Sequence, residues 1–428
     1  MATHYLPQSP FDKAAIGLGP TAIFLLVLAI TWVLPAGLLT ALFGALLAVF
    51  LLVSPGVANG AALRLALPFA VMLVWGIAMS QGNDTYIIGK DAWYAGKLCL
   101  CLMLGFLIGI RTVDDRPAMD GLISLAGIMA VVTIGLWLRS GATLGELDSE
   151  DATRLPLVAT VAVIPLLDRL RSQTGVARGQ AIVLLALIVL AVLASNSRIT
   201  IITLGVMFLA WAGLFSRTRR AFIGGAVVLA ILALLWQFLP EYNGGELTVA
   251  IKLRRSLDEM LLTDSVDPTE MILNWRGFEA YNAQLMIDQA TVLRKIFGYG
   301  LGATIDLGQE IPFEDGPIRF LPILHNGFYY LMIKYGMIGA LVYVVTVVRF
   351  GLLGKSSYDN MAVGDRMLRG TIISILLATA VITGLYNKTE LNGLTLMVAW
   401  LVGVAQRRLY EESALFVALP DALGKDRA

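Results

Sequence analysis

The chain has 428 residues, 57% of them hydrophobic and only 15% charged, with a net charge of +1 and a mean hydropathy of +0.77. That composition excludes a soluble globular protein, and a near-neutral chain with no long basic run gives no basis for binding nucleic acid. What remains is an all-α integral membrane protein whose apolar runs each approach the length of a bilayer crossing.

In chain order, a polar tail precedes an apolar stretch from Thr21 to Leu34 with no small-residue cleavage site, which reads as a retained first span and not a removed signal peptide. About twelve spans are expected, over 20–34, 36–53, 64–80, 92–110, 119–138, 154–168, 180–196, 198–215, 221–239, 326–349, 368–386 and 391–407. The sixth is short and carries Pro156 and Pro165. The only cysteines, Cys99 and Cys101, point to different faces of one apolar helix and support neither a disulfide nor a metal site.

Arginines mark one side of the bilayer. Arg169, Arg171 and Arg178 flank one connection, and Arg217, Arg219 and Arg220 crowd another. Arg349, Lys355, Arg366 and Arg369 surround a third, and Arg407 and Arg408 follow the last span. All fall on the inner side if both termini are cytoplasmic, while the opposite connections are poorer in charge or acidic, as with Glu146, Asp148, Glu150 and Asp151. The chain then divides into an N-terminal bundle of about nine spans (1–239), a large outer loop (240–325) and a C-terminal part (326–428).

The loop has structure of its own. Residues 246–262 suggest an amphipathic helix lying on the membrane surface. Asp267 and Pro268 read as the cap and first position of a second helix, with Trp275, Phe278, Asn282 and Leu285 along one face and Arg276 beside it. The glycine stretch FGYGLG then predicts a sharp turn. It matches a loose dinucleotide fingerprint but lacks the strand and soluble α/β unit that such a site needs.

Two positions stand out as chemistry. His325 closes the loop immediately before an apolar helix, and the only other histidine is His4. Only imidazole titrates unperturbed near neutral pH, so His325 is a candidate proton-transfer group; a helix-capping histidine at the interface is the competing reading. On helical spacing it shares a face with Tyr329, Met332, Gly336 and Gly339. Arg198 sits in SNSR between two apolar helices, where a guanidinium either snorkels or binds an anion such as phosphate. Lys97 and Lys388 add candidate positive charge at the same outer side.

In order, SNSR, NWRGFEAY, FGYGLG and LHNGFYYLMIKYGMIG, with His325 separated from Gly336 by ten residues, resemble the O-antigen ligase and Wzy-type polymerase superfamily over Leu184 to Val344. The resemblance implies a metal-independent glycosyltransferase of the bacterial inner membrane, its site facing the periplasm. It would move a glycan from an undecaprenyl-diphosphate donor to a hydroxyl of lipid A-core or another acceptor, with inversion. His325, Arg198 and Arg276 are then the expected catalytic residues; Arg198, Arg276, Asn326, Tyr329 and Lys388 are the expected substrate contacts. No cofactor is called for, and neither Asp264 with Asp267 nor Glu314 with Asp315 makes a hard-cation cluster. Polymerisation of repeat units is close behind ligation. A flippase or transporter is disfavoured because the two halves do not repeat. A polymerase with a catalytic acid in the loop would choose among Asp264, Asp267, Glu279, Asp288 and Asp315.

Overall fold

A computed structural model describes residues 19–141, 156–195, 197–215, 218–240, 251, 254, 274–311, 316–353, 362–386 and 391–424; the Arg198 side chain is outside that description. Five helices open the chain: α1 (Pro20–Val33), α2 (Ala36–Val53), α3 (Gly56–Ala78), α4 (Thr85–Gly109) and α5 (Arg116–Ser140). There follow α6 (Leu157–Val161), α7 (Val163–Ser172), α8 (Gly175–Ala194), α9 (Arg198–Trp211) and α10 (Thr218–Phe238). Beyond these lie α11 (Trp275–Asp288), α12 (Val292–Phe297), strands β1 (Ile305–Ile311) and β2 (Ile318–Leu321), α13 (Gly327–Leu352), α14 (Val363–Val381) and α15 (Asn392–Gly424).

Each apolar stretch read from the sequence contains helix. Among the described residues, six helices (α2, α3, α4, α5, α8 and α13) are long and apolar enough to cross a membrane, and two shorter apolar helices fall within α1 and α9. The expected sixth span is divided into α6 and α7 because Pro165 has no N–H to give the Val161 carbonyl. The backbone tightens there, with Ala162 N–H donating to Ala159 O, and the helical pattern resumes with Leu166 N–H on Ala162 O.

The tightest helix pair is α4 against α15. Gly105 and Gly109 in α4, spaced as GxxxG, face α15, and Gly403 of α15 faces back. A β-carbon on Gly105 would stand 2.5 Å from Leu396 O, and one on Gly403 2.5 Å from Phe106 O. Trp400 is fully buried in this seam, stacked on Phe24 at 4.3 Å and donating from Nε1 to Thr112 Oγ1. An aromatic core lies beside it, where Tyr386 meets Phe69, Tyr330, Tyr335 and Tyr343 at 5.8–6.3 Å between ring centres.

The connections rich in arginine meet at one end of this bundle. Arg169 pairs with Asp120, Arg366 with Asp168 (3.0 Å) and Arg408 with Asp115, while Arg369 donates to Phe215 O. At the far end, between α10 and α13, the all-α expectation needs one addition. β1 and β2 form an antiparallel hairpin, with Ile305 opposite Leu321 and Ile311 opposite Ile318. Its apolar side, Leu307 and Ile311, packs on Phe278 of α11 as a small separate core. Within the expected surface helix over 246–262 the described residues are Ile251 and Arg254, both helical; the Asp267 cap, the 146–151 connection, His4 and Lys388 lie outside the described residues.

A buried ion pair joins the halves of the chain. Lys334 Nζ in α13 donates to Asp91 Oδ2 in α4 at 2.7 Å, with side-chain exposures of 2% and 1%. Asp91 also accepts from the Tyr330 hydroxyl (3.0 Å) and the Gly302 N–H (2.7 Å), and Lys334 donates to Ala303 O at 2.6 Å. Removing one member of a buried pair costs about 3–5 kcal/mol because its partner is left charged and unpaired. Asp91 accepts three hydrogen bonds whereas Lys334 donates two. Asp91→Leu is therefore expected to lower the unfolding temperature in detergent more than Lys334→Met, and both by more than any exposed substitution on α2. Equal, small shifts in fluorescence-detected size exclusion would contradict this.

Candidate functional site

The site is assembled from α11, the start of α13 and a glycine arch over 298–303. His325 does not lie on the helix with Tyr329, as helical spacing from it supposed. α13 begins at Gly327, and its cap is Asn326, whose Oδ1 accepts from Phe328 N–H (3.0 Å) and Tyr329 N–H (3.3 Å). His325 therefore lies at a bend just outside the helix, one residue before the cap. Gly327 N–H donates to Ile382 O at 3.1 Å, which ties this corner to the end of α14, six residues before Lys388.

His325 has one carboxylate partner among the described residues. Glu279, on α11, is 1% exposed. Its Oε2 accepts the His325 backbone N–H at 3.1 Å, and both of its oxygens stand 3.0 Å from His325 Nδ1. With the carboxylate as acceptor, the proton of the neutral ring sits on Nδ1 and Nε2 keeps its lone pair. The imidazole side chain is 38% exposed, so the free nitrogen belongs to a ring that solvent and solutes can reach. A ring held in this way can act as a general base.

α11 explains why Glu279 is there. Its buried face runs Phe278, Glu279, Asn282 and Ala283, while Leu285 is 42% exposed. The apolar face expected over Trp275, Phe278, Asn282 and Leu285 is thus rotated toward Glu279, and the carboxylate is directed inward. Arg276 is half-buried and one turn before Glu279, on a neighbouring line of the helix. Tyr329 OH donates to Gln284 Oε1 at 3.2 Å, so this expected substrate contact also clamps α13 to α11.

The arch confirms the turn predicted from FGYGLG. Gly298, Gly300 and Gly302 have φ of +82°, +87° and +78°. α13 is broken at Gly336 (φ +71°, ψ −175°), and the carbonyls just before the break accept from the arch: Tyr299 N–H on Ile333 O at 2.7 Å and Gly300 N–H on Lys334 O at 3.1 Å. A β-carbon on Gly298 would lie 2.6 Å from Gly336 N, so the two backbones touch directly. Asn83, in the α3–α4 turn, holds the other side by donating to Tyr299 O (3.0 Å) and Leu301 O (2.7 Å).

Arg198 occupies the first position of α9, and Ser195 before it is buried with its hydroxyl on Val192 O. Lys97 is more deeply placed than expected, because α4 begins at Thr85 and not near 92. It lies over three turns in, is 3% exposed and stands 5.1 Å over the Tyr94 ring, away from any outer surface. Among the described residues, no group of three His, Cys, Asp or Glu side chains is placed to hold a metal ion.

Sequence reasoning weighed Glu279 only as one of five loop acids. The signal that singles it out is an acidic residue inside the i, i+3, i+4 buried stripe of an amphipathic helix. Asp91 and Lys334 were not singled out.

Fold and site together define a polytopic membrane protein with a half-exposed histidine fixed by a buried carboxylate at one end of its helix bundle. Residues 182–344, from within α8 to within α13, match the family model described as O-antigen ligase. The matched stretch carries Arg198, Arg276, Glu279 and His325 and supports the resemblance to the O-antigen ligase and Wzy-type superfamily. No curated protein matches the chain.

Because the chain has two histidines, the tautomer is directly measurable. The 15N spectrum of the protein in detergent should show neutral His325 protonated at Nδ1. In Glu279→Ala the ring should become a mixture of tautomers while the helix content is retained. An unchanged spectrum would mean that Glu279 does not set the ring.

Proposed function

We propose that this protein transfers a glycan from a lipid diphosphate, of the undecaprenyl type, to an acceptor hydroxyl at the outer face of the bacterial inner membrane. The observation that carries the reading is the Glu279–His325 pair, within a stretch that matches the O-antigen ligase family. His325 Nε2 takes the proton of the acceptor hydroxyl as that oxygen attacks the anomeric carbon. Glu279 holds the ring and balances the charge it gains. The bond from the anomeric carbon to the diphosphate breaks on the opposite side, so the centre inverts, and the lipid diphosphate leaves. Arg276 and Arg198 meet the negative charge that develops on it, as guanidinium forks suit phosphate oxygens. The Asn326 amide is a further contact at the same corner, and the resemblance adds Lys388, which lies outside the described residues. No step requires a metal ion.

The orientation has support in the arrangement of charge. The arginine-bearing connections converge at the end of the bundle opposite His325. By the positive-inside rule we read that end as cytoplasmic, with both termini inside and the 240–325 segment and its histidine in the periplasm. α9 and α14 then run in opposite directions. Gly370 meets Ala210, so Arg198, twelve residues back, comes level with the end of α14 that holds the His325 corner.

Ligation is preferred narrowly over polymerisation. A polymerase holds two lipid diphosphates and needs a second cationic cluster, and Arg254 with its neighbour Arg255 fits contact with anionic headgroups equally well. Purified protein in liposomes, given lipid-linked repeat units and an anchored glycan acceptor, is expected to join the two in the presence of chelator. A ladder of lipid-linked chains formed without the acceptor would identify a polymerase instead. In the same assay His325→Ala should abolish transfer with normal insertion. Arg198→Ala and Arg276→Ala should each cost at least about tenfold, the equivalent of about 1.4 kcal/mol at the transition state, and lysine should restore little. Near-normal transfer by any of these would remove that residue from the site.

A further inference from the structure

Beside the catalytic corner lies a cleft of about 380 Å3 between the α3–α4 turn, the end of α11 and the β hairpin. That volume is in the range of small-molecule sites. We propose that it is a binding subsite for a neutral glycan, holding sugar residues one or two places removed from the one that reacts; the proposal deepens the glycan-transfer reading and rests on it.

The chemistry of the walls selects the ligand class. Neither lysine nor arginine is among the described residues that line the cleft. Arg294 and Arg319 lie 5.4 Å over the Tyr299 and Phe320 rings, but Arg294 donates to Met79 O and Gly298 O and Arg319 to Asp306, so the cleft is not built for the diphosphate. It offers two aromatic rings, Tyr299 and Phe320, with the Asp84 carboxylate and the Thr304 hydroxyl between them. A pyranose has the matching surface: an apolar C–H face that aromatic rings bury, and hydroxyls that donate to a carboxylate. Phe320, on β2, is 55% exposed, with the Arg319 guanidinium 5.4 Å from its ring centre. Asp84 caps α4 through Oδ1, which accepts Ile87 N–H at 3.0 Å, and no described residue donates to Oδ2.

The cleft is also preformed. Asn83 commits its amide protons to the Tyr299 and Leu301 carbonyls. Gly302 (φ +78°) lies so close to Ile88 that a β-carbon would stand 2.6 Å from Cγ1. A rigid wall spares the ordering cost of binding.

Position ties the cleft to the reaction. Met286 lines it and lies seven residues after Glu279, two turns along α11 and on the same side. Two turns span about 10 Å. From the other side β2 ends at Leu321, four residues before His325. A glycan with its reacting sugar at His325 therefore extends over the Tyr329–Gln284 contact and into the cleft.

The test uses the full-length protein in liposomes with two exposed-position variants. Phe320→Ala removes the platform, and Asp84→Asn keeps a helix-capping side chain while weakening the acceptor. Each is expected to raise KM for the glycan substrate, Phe320→Ala by at least tenfold, with kcat within twofold. Glycan fragments released by mild acid from the surface polysaccharides of the parent cell should show saturation-transfer signals with wild-type protein and none with Phe320→Ala. Unchanged KM and unchanged signals in both variants, with wild-type transfer intact, would overturn the subsite and leave the transfer reading standing. Displacement of the fragments by inorganic pyrophosphate would also overturn it. Fragments that bind through Phe320 to a protein without transfer activity would support the subsite and sink the transfer reading.

Discussion

A lysine and an aspartate facing each other inside an apolar bundle have no water to retreat to, and the rest of the structure is arranged around that fact. Asp91 and Lys334 satisfy one another, and what they leave over is met by a hydroxyl, an N–H and a carbonyl, the last two from the glycine arch. The pair therefore joins three segments, α4, α13 and 298–303, at one point. Well-packed apolar residues of the same volume can stabilise a fold as well as a buried pair does. They could not also specify which loop residue sits over which helix. The network gives the arch a unique seat.

From that seat the His325 corner inherits its precision. The arch grips the break in α13 on one side and the α3–α4 turn on the other. α13 thereby presents Asn326 and His325 at a fixed height, and α11 is held against it through Tyr329 and Gln284. Glu279 then reaches both the main chain and the ring of His325. An aligned base needs a locked rotamer and a locked proton, and the one carboxylate provides both.

Much of this was legible in the chain. The apolar lengths mark the helices because a bilayer leaves no other solution for the backbone. His325 stands out because almost nothing else titrates near neutrality at a helix mouth, and the three glycines of the arch announce positive φ. Other elements leave weaker marks. The α11 face was phased on Trp275 and Leu285, and the exposure of Leu285 shows that the burying surface lies about one residue round, where Glu279 is. In β1 the outward positions are Asp306, Gly308 and Glu310, but Gln309 takes an inward one and breaks the apolar alternation, so the strand is hard to see in the sequence. The partnership of Asp91 with Lys334 spans 243 residues and has no local signature.

The break at Gly336 also has a meaning in time. The arch is synthesised before α13, yet its N–H groups at 299 and 300 end on carbonyls that exist only once residues 333 and 334 have been made. Until then the arch has no template, and its three left-handed glycines have nothing to hold them. The site is thus among the last parts of the molecule to close, after the helices on both sides are in the membrane. A chain that stalls before α13 carries the sequence of the arch without its shape.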